Sequence, residues 1–358
     1  MLTSDAPFSE DDHAVRAAYE EAEPTLVQRS ALPLPGPLSP LLITVLRDER
    51  DALPDFLRHY RAGGIERFIF IDNGSSDGSL DYIARQPDAD VFTVTERFDW
   101  RRKQGWINRV IDFYGLERWY LCVDADEHVV FDGFGARGFP ELAAQLERQG
   151  QTRARGFLLD MYSEMPLLAC ASGDDVRLAE AYPYFDASGY AESRTAHLVS
   201  RLGGPRLRAF GGLDPEFKPQ LTKHPLFRLR EGEFFANPHH VWPCAPNFRT
   251  RCVLALMHFK FHGDFALRVA RAVEEETYWS ASREYKVYLD ALARSPEFSL
   301  FDPALSRRYS NPQDLIDLGL IESIGWEAEG DELAAALRSG ARKRRAEVLA
   351  AHATGLTS

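Results

Sequence analysis

Four short apolar runs, each closed by polar or charged residues, constrain this chain more than any other feature of its sequence. They lie at 41–46 (LLITVL), 67–71 (RFIFI), 90–95 (DVFTVT in part) and 118–123 (RWYLCV). Runs of this length, rich in β-branched and aromatic residues, suit strands buried on both faces. Between the first two, Leu53, Phe56, Leu57 and Tyr60 recur at helical spacing, and Gly63-Gly64 ends the pattern. Residues 79–84 and 104–114 supply two more helical stretches. A strand-helix alternation repeated this way predicts an α/β fold, a mainly parallel sheet with helices on both faces. Ligands in such sheets sit beyond the carboxyl ends of the strands. Three of the predicted ends carry charge, at Arg47-Asp48-Glu49, at Asp72 and at Asp124 with Asp126, so they are expected to meet at one crevice.

The last of these ends is the most demanding. In Leu121-Cys122-Val123-Asp124-Ala125-Asp126-Glu127-His128-Val129-Val130, an apolar run leads into three carboxylates within four residues and becomes apolar again. Like charges at the tip of a hydrophobic strand repel, so one takes up a proton or a cation lies between them. If the segment is extended, Asp124 and Asp126 point to the same side. A hard divalent ion that keeps water positions open for substrate phosphates is the natural occupant. A solvated acidic turn is the simpler alternative, and the apolar flanks count against it. The whole chain has a formal charge of −12 and a pI near 5.4, which argues against general nucleic-acid binding. An anionic substrate therefore needs local cations. Trp100-Arg101-Arg102-Lys103-Gln104-Gly105-Trp106 places three at the start of a helix, a good anion site.

Residues 1–40 read as a polar extension with one short helix and a proline-rich lead-in. Residues 41–264 read as the main domain, with halves at 41–135 and 136–264, and 265–358 as a helical C-terminal region. In the second half, 156–162, 195–199, 220–229 and 253–261 are expected strands, and 268–278, 283–293, 311–318 and 331–352 expected helices. Cys122, Cys170, Cys244 and Cys252 form no Cys-x-x-Cys pair and are expected to be free thiols. With no membrane-length apolar segment and no basic-then-apolar leader, a cytoplasmic location is the expectation. The run Arg342-Lys343-Arg344-Arg345 suggests a solvated face, or weak peripheral membrane association as the lesser alternative.

Taken in order, these motifs resemble the GT-A fold glycosyltransferases that use nucleotide sugars, in the bacterial family-2-like branch with an Arg-Asn-Glu-type first strand. The matching pieces are Arg47-Asp48-Glu49, Asp72-Asn73-Gly74-Ser75-Ser76-Asp77-Gly78, Asp124-Ala125-Asp126, Leu159-Asp160-Met161-Tyr162-Ser163 and Met257-His258-Phe259-Lys260-Phe261. They span roughly 41–290, and Asp48 departs from the asparagine often found there. The resemblance implies a GT-A (Rossmann-like) mixed, mainly parallel sheet and transfer of a sugar from a nucleoside-diphosphate sugar, a UDP-sugar most of all, to a saccharide or other hydroxyl acceptor. It implies inversion, with Mn2+ or Mg2+ as cofactor. Carried onto this chain, Arg47, Glu49, Asp72, Arg101, Lys103 and Asp124 would bind the nucleotide, and Asp124, Asp126 and His258 the metal, with His262 and His240 in reserve. Asp72 would accept a hydrogen bond from the base, although an N-cap or turn role fits it too. Asp214, with Glu216 beside it, is the expected general base; Asp160, Asp186 and Glu192 compete.

Other readings fit less well. Zinc ligation by His239, His240, Cys244, Cys252, His258 and His262 lacks paired spacing. A calcium loop from Asp124 would place His128 and Val129 where an oxygen ligand and a glycine belong. A nucleotidyltransferase acting on a sugar phosphate, or a non-catalytic nucleotide- or carbohydrate-binding scaffold, would share the crevice.

Overall fold

Successive side chains of the first apolar run enter two different cores. Leu41, Ile43 and Val45 pack with Trp106, Ile107, Val110 and Ile111, whereas Leu42 and Leu46 join Phe56, Leu57, Tyr60, Phe139 and Leu142. A two-residue side-chain period with both faces covered is what a continuous apolar run encodes. The computed structural model describes residues 8–169, 173–263, 265–276 and 279–326. Its strands are β1 (Thr25–Gln28), β2 (Leu41–Leu46), β3 (Phe68–Asp72), β4 (Ala89–Thr93), β5 (Trp119–Cys122), β6 (Glu127–Phe131), β7 (Arg153–Asp160), β8 (Tyr184–Asp186), β9 (Tyr190–Arg194), β10 (Val199–Gly203), β11 (Thr222–Arg228), β12 (Phe234–Asn237), β13 (His240–Trp242), β14 (Cys252–His258) and β15 (Ser306–Arg308). Its helices are α1 (Glu10–Glu21), α2 (Leu53–Ala62), α3 (Ser79–Ala84), α4 (Trp100–Tyr114), α5 (Phe139–Arg148), α6 (Leu178–Ala181), α7 (Gly204–Phe210), α8 (Phe265–Glu275), α9 (Trp279–Arg294, kinked at Ser280–Ser282) and α10 (Pro312–Asp317).

The nine-stranded sheet runs β1-β4-β3-β2-β5-β11-β7-β14-β6. Parallel pairing joins β4, β3, β2 and β5, and also β7 and β14. Strands β1, β11 and β6 run the other way. The sheet is thus mixed and mainly parallel, with α2 and α5 on one face and α4 on the other. A third apolar cluster of Phe210, Phe217, Phe261, Phe265, Val269 and Tyr288 ties α7, α8 and α9 together.

Several elements differ from the sequence expectation. The lead-in is woven into the sheet: β1 pairs antiparallel with β4, and the proline-rich carbonyls of Leu32 and Pro35 accept from Arg67 Nη2 (2.6 Å) and Arg118 Nη2 (2.9 Å). Helix α1, capped by Ser9, docks on α4 where Gly105 has no side chain; a Cβ there would lie 2.7 Å from the Ala18 carbonyl. Helix α4 begins at Trp100, before the expected 104, because the Asp99 carboxylate accepts the Arg101 N–H at 2.8 Å. Residues 195–198 form the turn of the β9-β10 hairpin, where the Thr195 N–H donates to the Leu198 carbonyl at 3.0 Å. The expected helix at 331–352, the Arg342-Lys343-Arg344-Arg345 run and Cys170 lie outside the described residues. Among those described, Cys122, Cys244 and Cys252 are buried free thiols, and no helix is long and apolar enough to cross a membrane.

Candidate active site

Strand order gathers the polar ends. Because β14 lies between β7 and β6, His258 at its end pairs in register with Asp160 at the end of β7 and with Glu127 at the start of β6. Antiparallel β11 begins at this same edge, which brings Lys223 beside the end of β5. Asp124 and Asp126 follow β5 directly. They do not sit on an extended segment: the Glu127 N–H donates to the Asp124 carbonyl at 3.1 Å, closing a turn. The two carboxylates consequently face different partners, which corrects the same-side expectation. Asp124 is bonded to Lys103 Nζ of α4 through Oδ1 and lies 3.3 Å from Lys223 Nζ through Oδ2. Asp126 Oδ2 faces His258 Nε2 at 3.5 Å.

Buried bonds hold this arrangement in place. His258 Nδ1–H donates to Asp160 Oδ1 at 2.7 Å, and Arg206 Nε donates to Asp160 Oδ2 at 2.8 Å. Arg206 Nη1 in turn donates to Glu284 Oε1 at 3.0 Å. The Asp160 bond leaves Nε2 as the imidazole nitrogen directed at Asp126. Burial raises the Asp126 carboxyl, but His258, Lys260 and His262 outweigh it and hold it well below the ordinary carboxylate range. Burial likewise lowers His258, and Asp126 and Asp160 together raise it above its usual value. Lys223 is opposed by burial, yet Glu127 and Asp124 raise its ammonium, which stays charged.

Asp126, Glu127 and His258 each offer a donor atom within 4.8 Å of the others. Two carboxylates and an imidazole suit Mn2+ or Mg2+, the imidazole favouring manganese. The donor chemistry of this group fits such an ion; it contains Asp126 and His258 of the expected set, and Glu127 rather than Asp124 is its third member.

At the end of β3, Asp72 is 1% exposed. Its Oδ2 accepts the N–H groups of Gly74 and Ser75, both at 3.1 Å, while its Oδ1 is buried with no hydrogen-bond partner. Glu49 lies between the clusters, with His262 Nε2 at 4.0 Å and Arg268 Nη1 at 3.9 Å; burial, opposed by Arg268, pushes its carboxyl up. Arg47 makes a bidentate pair with Glu275 of α8 at 3.0 and 3.2 Å, and Asp48 is bonded to Arg271 of the same helix. Helix α8 thus lies against the strand ends. Arg101 turns toward α1, where it meets Asp11 at 2.9 Å.

Asp214 accepts from Arg283 Nη2 at 2.7 Å and from the Glu216 N–H at 2.9 Å, and the Arg283 bond holds its carboxyl below the ordinary range. Glu216 is exposed. Among the competing carboxylates, Asp186 is held by Arg208 at 2.8 Å and Glu192 by Arg201 at 2.8 Å. Of the reserve ligands, His240 Nε2 meets Asp12 at 3.1 Å and His262 Nε2 meets Arg268 at 3.1 Å. Sequence reading passed over Lys223 and Arg206. A lysine inside the otherwise buried run Leu221-Thr222-Lys223-His224-Pro225-Leu226 was the available signal, because such a charge is seldom buried unpaired.

No family model and no curated protein matches this chain. Among solved structures it is similar to residues 1–349 of S. aureus TarS, at 13% identity over 34% of this chain, with a TM-score of 0.24. The match covers 35% of the TarS chain, about a third of its length. A likeness of that size carries no functional argument.

Proposed function

We propose that this protein is a glycosyltransferase that takes a sugar from a nucleoside-diphosphate sugar, with UDP as the favoured nucleotide, and passes it to a hydroxyl acceptor. The observation that carries this reading is the bare, buried Oδ1 of Asp72 on the same strand edge as the Asp126-Glu127-His258 cluster. A buried acceptor without a partner calls for a donor, and the imide N–H of a uracil supplies one. Strands β3 and β5 are separated by β2. Two inter-strand spacings of about 4.8 Å put the ends of β3 and β5 roughly 10 Å apart, a span compatible with a nucleoside reaching from Asp72 toward Asp124 and the turn that carries Asp126.

The chain's own residues divide the work. Asp72 orients the base, and Lys103, at the first turn of α4, lies where the dipole of that helix also favours an anion. Asp126 and His258 would hold the divalent ion, Asp160 keeping the His258 ring in position. Such an ion supplies Lewis-acid stabilisation of the charge that builds on the departing diphosphate. In an inverting transfer, a carboxylate takes the proton of the acceptor hydroxyl as its oxygen attacks opposite the leaving group; Asp214 is our candidate, once an acceptor loosens Arg283.

Calorimetric titration of UDP with and without Mn2+ tests the reading. Asp126→Ala should remove the metal-dependent part of UDP binding while the thermal transition persists, and unchanged affinity would count against it. Incubation with UDP-sugars separates the enzyme classes. A transferase releases UDP slowly without acceptor, a nucleotidyltransferase working on nucleoside triphosphate and sugar phosphate releases pyrophosphate, and a binding scaffold releases neither.

A further inference from the structure

We propose that Lys223 is the resident counter-cation of the acidic cluster, and that a divalent ion binds there in competition with its ammonium group. This deepens the metal-and-donor reading above and rests on it.

The argument begins with Glu127, which is 1% exposed and has both carboxylate oxygens in use. Oε1 is bonded to Lys223 Nζ, and Oε2 accepts the Asp124 N–H at 3.2 Å. Oε1 keeps a second lone pair, but a divalent ion approaching it meets the positive charge of the ammonium already bonded to that oxygen. Asp126 differs: its side chain is 14% exposed, and the 3.5 Å separation between its Oδ2 and His258 Nε2 leaves space between two candidate ligands.

Charge balance points the same way. The carboxylates of Asp124, Asp126, Glu127 and Asp160 are met by Lys103, Lys223, Arg206 and His258. A divalent ion entering a site already close to neutral must displace a positive charge. Lys103 is bonded to Asp124, outside the donor set, and Arg206 to Asp160 and Glu284. His258 belongs to the candidate donor set itself. Lys223 and His258 each face a ligand atom of another residue in the set, and of the two only Lys223 is not itself a member of it. Its four-carbon stem lets the ammonium swing away without moving β11, which frees Glu127 Oε1 to complete the ligand group. Lys223 is therefore a positioning residue that weakens and tunes metal binding.

The test uses MnCl2 alone on the full-length chain. By titration calorimetry, Lys223→Met is expected to bind Mn2+ about tenfold more tightly than the unaltered protein, the size of effect common for groups just outside a metal's ligand shell. Equal or weaker binding overturns the proposal. A second readout needs no variant: acylation of Lys223 by acetic anhydride, followed by peptide mass spectrometry, is expected to rise severalfold on adding Mn2+ and not on adding the same ionic strength of NaCl. Protection that is unchanged overturns the proposal even if Lys223→Met does not fold. Titration of UDP without metal in the same series separates the two levels of the argument. Mn2+ binding to neither protein defeats the role of Lys223, whereas metal-free UDP binding then leaves the donor reading standing.

Discussion

Asp72→Asn asks the sharpest question of the proposed nucleotide site, because the structure dictates which way the new amide must face. The Gly74 and Ser75 N–H groups both donate to Oδ2. An asparagine keeps those bonds only by placing its carbonyl oxygen there, which puts its NH2 where Oδ1 now stands. The loop is preserved, but the buried acceptor becomes a donor facing the donor edge of a base. The loss is that of one hydrogen bond to a charged group, about 1.5–3 kcal/mol, or roughly 10- to 150-fold in Kd at 1.4 kcal/mol per decade. Calorimetry with UDP should register this, while pyrophosphate, which has no base, should bind with unaltered affinity. Equal weakening of both ligands, or a UDP affinity within threefold of the original, would refute the assignment.

Three further outcomes are expected. Burial holds His224 and His128 down to about 3, so the unfolded state binds their protons first as the medium is acidified. Their contribution to stability is complete above the unfolded value of about 6.5 and is lost as pH falls from there toward 3, about 2 kcal/mol each by pH 5 at 1.36 kcal/mol per unit; urea midpoints that stay level between pH 7.5 and 5 would contradict this. Gly105→Ala sets a methyl against the Ala18 backbone of α1 and should destabilise by about 1–3 kcal/mol through overpacking, read as a lowered urea midpoint, and an unshifted midpoint would mean that α1 is not docked as described. Asp214→Asn should slow transfer about 100-fold or more with donor affinity intact if that carboxylate is the general base; a change in turnover below threefold moves the base elsewhere.

What sequence alone could determine here was local. The period of the apolar runs and the helical spacing of Leu53, Phe56, Leu57 and Tyr60 specify β2, α2, β3 and their alternation, and the charges that close the runs mark Asp72, Asp124 and Asp126. These features depend on residues a few positions apart, which is the range over which side-chain periodicity and turn chemistry act. Tertiary structure decided the neighbours. Nothing in the run Met257-His258-Phe259 says that β14 inserts between β7 and β6, yet that pairing brings His258 to Asp160 and Glu127. Nor does a lysine in β11 announce Asp124, 99 positions earlier, as its partner. The turn at Asp124-Ala125-Asp126 and the docking of α1 on Gly105 are of the same kind. Strand order and helix docking are chosen by burial summed over the whole chain, so they are settled only when distant segments compete for the same apolar surface.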